Sequence, residues 1–269
     1  MASLPPIDVP KGATGAGVFD EPAVAESQSA RTDYFLRLGD DALILGQRLG
    51  EWCGHAPALE VDLSLTNLAL DLVGQATHLL SGAGDADQLA FQRDVLDFRN
   101  CLLVEQPNGD FGQTIARQLL FSTWQHMLYE ALAGSNDELL RDIAAKAVKE
   151  VAYHRELAAE WTVRLGDGTE ESAQRMREGL DWCWRFVPEL FEVDELLDGL
   201  IASGVAADPR CFETEYRAAI EEVLDYGKIE VPADQRPILG GRRGHHSEHL
   251  GHLLAQMQYL PRTYPDATW

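Results

Sequence analysis

Hydrophobic residues recur every three or four positions from Asp33 onward, a spacing typical of amphipathic α-helices. A first stripe is formed by Leu38, Ala42, Leu45, Leu49 and Trp52. It ends at Gly54 and Pro57, and a second predicted helix, over residues 59–80, is apolar around most of its circumference. Because no alternating segment of useful length follows anywhere, the sequence predicts an all-α protein.

The later helices are separated by clusters of turn-forming residues near residues 106–110, 134–137 and 166–168. Helices are predicted over residues 89–100, 111–132, 137–165 and 169–191, after Pro209, and after the loop at residues 240–244. Short turns within pairs and a longer crossover between them predict a ferritin-like four-helix bundle of two antiparallel hairpins, with additional C-terminal helices. Residues 1–31, rich in proline and glycine, are predicted to be a disordered extension, and residues 32–269 a single ferritin-like helical domain with a C-terminal tail.

Charge and composition restrict the class of partner. The net charge is −22, from 44 acidic and 22 basic residues, and such a field repels nucleic acid and anionic membranes. A protein partner or a small molecule is therefore expected, in the cytoplasm, because no long apolar run or leader-like N-terminus is evident. The widely spaced Cys53, Cys101, Cys183 and Cys211 are expected to be reduced, mostly buried thiols.

Candidate metal chemistry centres on Glu150 and His154 in the fourth long helix. Di-iron bundles carry a Glu-x-x-His motif on each of two helices and a further carboxylate on each of the other two. Here the histidine comes one residue late, although both side chains can still face the core. The alternative to metal ligation is a buried Glu–His hydrogen bond between helices.

The other helices offer incomplete ligands. Asp71 occupies the glutamate position of the second helix, but Gly74 stands where a histidine is required, and a narrow solvated face is an equal alternative. A turn near residue 56 would place Asp41 opposite Asp71, as a remnant ligand or as a surface charge. The third helix has only Gln118 and Gln125 near the level of Glu150.

Asp41, Asp71, Glu150 and His154 are therefore predicted to mark a vestigial, metal-free site. Two divalent ions would lack both ligands and compensating charge there.

Two further clusters lie near the C-terminus. His245, His246, His249 and His252 cluster there with Glu248, and His245, His249 and His252 share a helical face, which allows a zinc interpretation. Solvated histidines on a docked tail are favoured because no sufficient set of acid or thiol ligands accompanies them. Arg242 and Arg243 lie in a glycine-rich loop and could contact coenzyme A phosphates or an acidic partner, or could simply be exposed.

Several long stretches of the chain resemble the C subunits of bacterial ring-1,2-phenylacetyl-CoA epoxidases. The stretches are residues 36–76, 102–118, 146–169, 184–192 and 240–260. The resemblance covers the chain from about residue 33 to the end, and the chain departs from the family pattern mainly in its longer N-terminus and in the additional histidines at 246 and 252.

The resemblance implies a non-catalytic structural subunit that pairs with a catalytic A subunit, which holds the di-iron centre and binds most of the phenylacetyl-CoA. Electrons would come from NADPH through a reductase subunit with FAD and an iron–sulfur cluster. It therefore implies no cofactor in this chain. The alternative is an independent di-metal carboxylate oxygenase or oxidase with its own metal site.

Overall fold

The structure is a computed structural model that describes residues 21–265 and residue 267. In that part of the chain the regular structure is helical throughout. The α-helices are α1 (Glu21–Gly50), α2 (Leu59–Ser81), α3 (Ala86–Phe91), α4 (Leu102–Glu105), α5 (Phe111–Leu132), α6 (Glu138–Gly166), α7 (Glu170–Trp184), α8 (Glu195–Ala202), α9 (Glu213–Tyr226), α10 (Glu248–Met257) and α11 (Tyr259–Thr263). Short 3₁₀ turns cover Val95–Asp97, Val187–Phe191, Pro209–Phe212 and Gly241–Arg243.

Two antiparallel hairpins form the bundle. Helix α1 packs along α2, α5 packs along α6, and contacts between α2 and α6 join the two pairs. Helices α7 and α9 cover the side of α5 that α6 leaves free, so α5 is buried along most of its length. The predicted all-α, ferritin-like bundle is confirmed.

The turn clusters seen in the sequence act as helix caps. The side chain of Asp110 accepts a hydrogen bond from the backbone N–H of Gln113 at the start of α5, and Asp137 does the same for Leu140 at the start of α6. Such caps satisfy one of the backbone donors that the first turn leaves free, and losing one costs about 1 kcal/mol. These local signals place the starts of α5 and α6 within one residue of the prediction.

Helix α1 begins well before the predicted start at Asp33. The predicted disordered segment falls partly outside the described residues, but its last part, from Glu21, lies in α1. Tertiary contacts hold α1 just before the predicted start, since Arg31 forms an ion pair with Asp137 at 2.5 Å and donates to the carbonyl of Gly82 at 3.1 Å. A pattern of hydrophobic residues cannot predict a turn of helix that is held by polar contacts such as these.

Two of the predicted helices are interrupted. Residues 169–191 form α7 and then a 3₁₀ turn, because Pro188 has no backbone N–H to continue an α-helix. Residues 89–100 divide into α3, a 3₁₀ turn and an extended stretch. There the backbone N–H of Arg99 donates to Asp40, and that of Cys101 to Asp41, in place of helical carbonyls.

The C-terminal helices pack back onto α3 and the residues after it. The amide of Gln258 donates to the carbonyls of Ala90 and Arg93, both at 3.0 Å. None of the helices described here combines the length and apolar character that crossing a bilayer requires.

The four cysteines are free thiols, and two of them differ from the prediction that they are mostly buried. Cys101 and Cys183 are buried, whereas Cys53 and Cys211 are exposed. Burial raises the pKa of Cys183 to about 12, so this thiol stays protonated and inert at neutral pH.

Candidate functional site

Of the predicted metal-site residues, the bundle brings Asp71 and His154 into direct contact. His154 Nε2 lies 3.1 Å from Asp71 Oδ2, joining α6 to α2. The His154 side chain is fully buried, while that of Asp71 is 38% exposed. A hydrogen bond between helices is therefore present, but the partner of His154 is Asp71 and not Glu150.

Glu150 lies one turn away, at the end of a chain of amides. It accepts a hydrogen bond from Gln75 Nε2 at 3.0 Å, and Gln75 Oε1 accepts one from Gln125 Nε2 at 3.2 Å. The same Gln125 amide lies 3.3 Å from the hydroxyl of Tyr129. The glutamine predicted near Glu150 is thus present, and it serves as an amide donor where a di-iron bundle needs a carboxylate.

Asp41 lies away from this group, contrary to the prediction that it faces Asp71. Gly39 contacts Leu80, and Gly46 contacts Leu72, which sets the register of the first hairpin. With about 3.6 residues per turn, the position opposite Asp41 is about two turns beyond Asp71. The prediction paired α1 with α2 symmetrically about the turn near residue 56. The observed register is shifted, so the prediction for Asp41 is wrong.

The residues present do not fit a carboxylate-bridged pair of metal ions. Within residues 21–265, histidine, cysteine and acidic side chains form no group of three or more that could hold a metal. Gly74 offers no ligand, and the interior face of α5 carries Gln118 and Ser122, whose side-chain polar atoms are buried without a hydrogen-bond partner. Asp71 is bonded to His154, and Glu150 is bonded to Gln75, so the predicted ligands form two separate pairs.

Asp41 belongs instead to a second polar cluster, where it pairs with Arg242. Asp41 Oδ2 accepts a hydrogen bond from Arg242 at 2.7 Å, and Oδ1 accepts the backbone N–H of Cys101 at 2.7 Å. Arg242 also donates to the backbone carbonyls of Arg37 and Arg99, each at 3.1 Å. Burial raises the pKa of Asp41, and the Arg242 guanidinium counteracts that effect. Arg242, one of the two arginines predicted to contact phosphate or a partner, thus forms its hydrogen bonds inside the protein.

Glu189 has a comparable role and is 1% exposed. Its carboxylate accepts three backbone N–H groups, from Leu102 at 2.6 Å, Gly240 at 2.8 Å and Gly241 at 2.7 Å. The last two belong to the loop before α10, where Gly240 has a φ of 136° that a side chain would strain. A Cβ at Gly241 would meet the carbonyl oxygen of Asn100 at 2.2 Å, so the close approach also requires glycine there.

Glu105 holds the next part of the C-terminal segment. It accepts His246 Nδ1 at 2.7 Å, the backbone N–H of Ser247 at 2.6 Å and the amide of Asn100 at 2.9 Å. His246 Nε2 lies 3.0 Å from the carbonyl of Phe98. The expectation that the tail histidines are solvated is wrong for His246, whose side chain is completely buried.

We call four acids the carboxylate clamp: Asp40, Asp41, Glu105 and Glu189. Asp40 completes it by accepting hydrogen bonds from Arg93 and from the backbone N–H of Arg99. All four are buried, and together they join α1, residues 93–105, the 3₁₀ turn Val187–Phe191 and residues 240–247. Glu105 and Glu189 were not among the residues predicted from the sequence. Glu189 lies within an apolar run and Glu105 directly follows one, and a lone acid in such a place signals a buried, hydrogen-bonded carboxylate.

Comparison with known proteins identifies the family. A family model described as "Phenylacetic acid catabolic protein" matches residues 19–269. The chain belongs to this family. A curated relative, the C subunit of the 1,2-phenylacetyl-CoA epoxidase of Escherichia coli (strain K12), is 48% identical over 244 residues, covering 88% of this chain and 98% of the relative. The resemblance drawn from the sequence stretches is confirmed.

In this member of the phenylacetic acid catabolic protein family, the other candidate residues near the C-terminus lie outside the carboxylate clamp. Arg243 is exposed and pairs with Glu192 at 2.5 Å. His245 precedes α10 and is exposed, as is His252. These histidines do not gather into a metal-binding group within the described residues, so the zinc interpretation gains no support.

The buried His246–Glu105 pair predicts a pH dependence of stability. Burial lowers the pKa of His246, but the hydrogen bond and charge of Glu105 outweigh this and raise it above 6.5. The contribution of this pair to the free energy of unfolding is therefore complete below pH 6.5, the pKa of an unperturbed histidine. It is lost as the pH rises through the higher pKa of His246 in the folded protein. We expect His246→Gln to cost more stability at about pH 6 than at about pH 9, measured by urea unfolding.

His252→Gln, an exposed histidine on the same segment, is the matched control and should show no such difference. An equal loss at both pH values for His246→Gln would contradict the assignment of a charged His246.

Proposed function

We propose that this chain is a non-catalytic structural subunit of a multicomponent 1,2-phenylacetyl-CoA epoxidase, paired with a di-iron catalytic A subunit that it stabilises. The observation that carries the proposal is the 48% identity to the C subunit of such an epoxidase, over nearly the whole of that relative. Phenylacetyl-CoA is bound mainly by the A subunit. Electrons reach that subunit from NADPH through a reductase with FAD and an iron–sulfur cluster. The complex is proposed to be cytoplasmic, where NADPH is supplied.

The bundle interior supports a structural role. At the level where a catalytic paralogue would hold two metals, Gln75 donates to Glu150, Gln125 donates to Gln75, and His154 is bonded to Asp71. Amide groups are neutral and cannot offset the charge of two divalent ions. The interior polar groups thus hold α2, α5 and α6 together through hydrogen bonds.

The C-terminal arginines support placing coenzyme A recognition on the partner. Arg242 donates hydrogen bonds to Asp41 and to two backbone carbonyls, and Arg243 forms an ion pair with Glu192. With a net charge of −22, the chain is a poor surface for a polyanionic cofactor.

Co-expression with the catalytic subunit of such an epoxidase tests the proposal. We expect a stable complex on affinity purification, substoichiometric iron in the isolated chain, and epoxidation by the complex within about twofold of wild type when Glu150→Gln is introduced. Glu150→Gln keeps the size of the side chain and can still accept from Gln75.

Two outcomes would overturn the proposal. Failure of the wild-type chain to co-purify would remove the pairing. Two iron atoms per isolated chain, lost in Glu150→Gln, would support instead an independent di-metal oxygenase.

A further inference from the structure

A small cavity lies between α1, α5 and the 3₁₀ turn Val187–Phe191, beside the carboxylate clamp. The space that the centres of water molecules can occupy in it is about 30 Å³. Aliphatic side chains form about half of its wall. The polar and aromatic residues of the wall are Tyr34, Arg37, Trp124, Glu189, Glu192 and Arg242.

Three polar atoms of this wall have no hydrogen-bond partner among the described residues. They are the indole Nε1 of Trp124, the hydroxyl of Tyr34 and Oε2 of Glu192. Trp124 and Tyr34 are each only 4% exposed, so bulk solvent does not pair them. The backbone of Ala207 acts electrostatically on the Tyr34 hydroxyl but is not in hydrogen-bond geometry with it. Because buried polar groups are nearly always paired with protein or ordered water, three unpaired atoms on one wall point to a bound partner.

The size of the cavity restricts that partner. One water molecule needs about 10–15 Å³ of such space, so about 30 Å³ holds one or two. Pockets for organic ligands are roughly 300–1,000 Å³, at least ten times larger. The partner is therefore water or a single small ion.

The three unpaired atoms match the hydrogen-bonding capacity of water. The indole N–H of Trp124 can only donate, and the carboxylate oxygen of Glu192 can only accept. Burial raises the pKa of Tyr34, so its hydroxyl stays protonated and can do either. A water molecule can accept from the indole and donate to the carboxylate at the same time, and a second can complete the contact with the hydroxyl.

An ion fits the same wall less well. A cation would meet the indole N–H and two guanidinium groups, and an anion would meet two carboxylates. The arginine charges are also balanced already, since Arg37 donates to Asp194 at 2.6 Å and Arg242 donates to Asp41 at 2.7 Å. The wall therefore favours a neutral molecule that both donates and accepts.

We propose that this cavity is a binding site for one or two resident water molecules, which accept the N–H of Trp124 and donate to Glu192. These waters connect Trp124 of α5 and Tyr34 of α1 to the residues that follow Glu189. They extend the polar network of the carboxylate clamp to α5, which none of the direct hydrogen bonds described for the clamp reaches. The inference concerns this chain alone and does not depend on the subunit with which it pairs.

A crystal structure of the wild-type, full-length chain at about 1.8 Å resolution or better tests the proposal. We expect one or two density peaks in the cavity. At least one should lie within about 2.7–3.2 Å of Trp124 Nε1 and of either Glu192 Oε2 or the Tyr34 hydroxyl. Two further crystals, one soaked in bromide and one held under xenon pressure, should show neither atom in the cavity, because xenon enters dry apolar cavities.

The same site is tested in solution through the indole N–H of Trp124, by nuclear magnetic resonance of the ¹⁵N-labelled chain. Trp124→Phe identifies the resonance by removing it. We expect a nuclear Overhauser effect between this proton and water, with the sign of a bound molecule. Tyr34→Phe is the matched control, because it removes the hydroxyl through which proton exchange could relay a false signal. The effect should persist in that variant, since Trp124 and Glu192 still hold the water.

Several results would contradict the inference. The lack of density near Trp124 Nε1, or xenon in the cavity, would show that the cavity is dry. A bromide peak would identify the occupant as a halide ion. Loss of the solution signal in Tyr34→Phe would assign that signal to the hydroxyl proton. The crystallographic test uses the wild-type chain, so it decides the question even if a variant does not fold.

Discussion

Replacing Arg242 by alanine is expected to lower the free energy of unfolding by about 3–5 kcal/mol, the range for removing one partner of a buried ion pair. Asp41 is 2% exposed and would keep only the N–H of Cys101 as a donor. The carbonyls of Arg37 and Arg99 would lose their donor as well. Urea unfolding followed by circular dichroism measures the loss.

Arg243→Ala is the matched control, since the neighbouring arginine is exposed and its pair with Glu192 lies at the surface. Surface pairs contribute about 0–1 kcal/mol, so the control should change stability little. The double variant Asp41→Leu/Arg242→Met should recover much of the loss, because an apolar pair leaves no buried charge. Equal, small effects of the two arginine variants would contradict the structural assignment of Arg242.

Glu189→Ala is expected to lower the free energy of unfolding by a similar amount, about 3–5 kcal/mol, for a different reason. Its carboxylate accepts three backbone N–H groups, and each buried donor left without an acceptor costs about 1–3 kcal/mol. The loss would release Gly240 and Gly241 from Leu102, and so loosen the C-terminal segment before the bundle unfolds. Hydrogen exchange at these three amides should rise ahead of exchange in α5.

Glu195→Ala provides the comparison, because Glu195 is exposed at the start of α8. A loss below about 1 kcal/mol for Glu189→Ala would mean that water replaces the carboxylate at little cost.

The main bundle was predictable because its signals are local. The spacing of leucines in α1 and α2 and the caps at Asp110 and Asp137 depend on neighbours within a few residues. Gly74 in α2, and the lack of an acid in α5 near the level of Glu150, can also be read directly from the chain.

The carboxylate clamp was not predictable in the same way. Whether Asp41 meets a metal, water or Arg242 depends on a residue 201 positions away, and no local pattern reports that distance. The two-turn error in the register of the first hairpin has the same origin, because side-chain packing at Gly39 and Gly46 sets the register and the length of the connecting turn does not. Sequence periodicity shows which face of a helix is buried but not what that face contacts.

The carboxylate clamp also has a consequence for the order of events during synthesis. Asp40, Asp41 and Glu105 are made early and Glu189 later, yet the segments that carry them lack their partners in residues 240–247 until those residues are translated. Until then Asp41 lacks Arg242, and Glu189 lacks two of its three backbone donors. The chain is thus built to reach its final packing only when nearly all of it has been translated, so that an incomplete polypeptide does not settle into the finished fold.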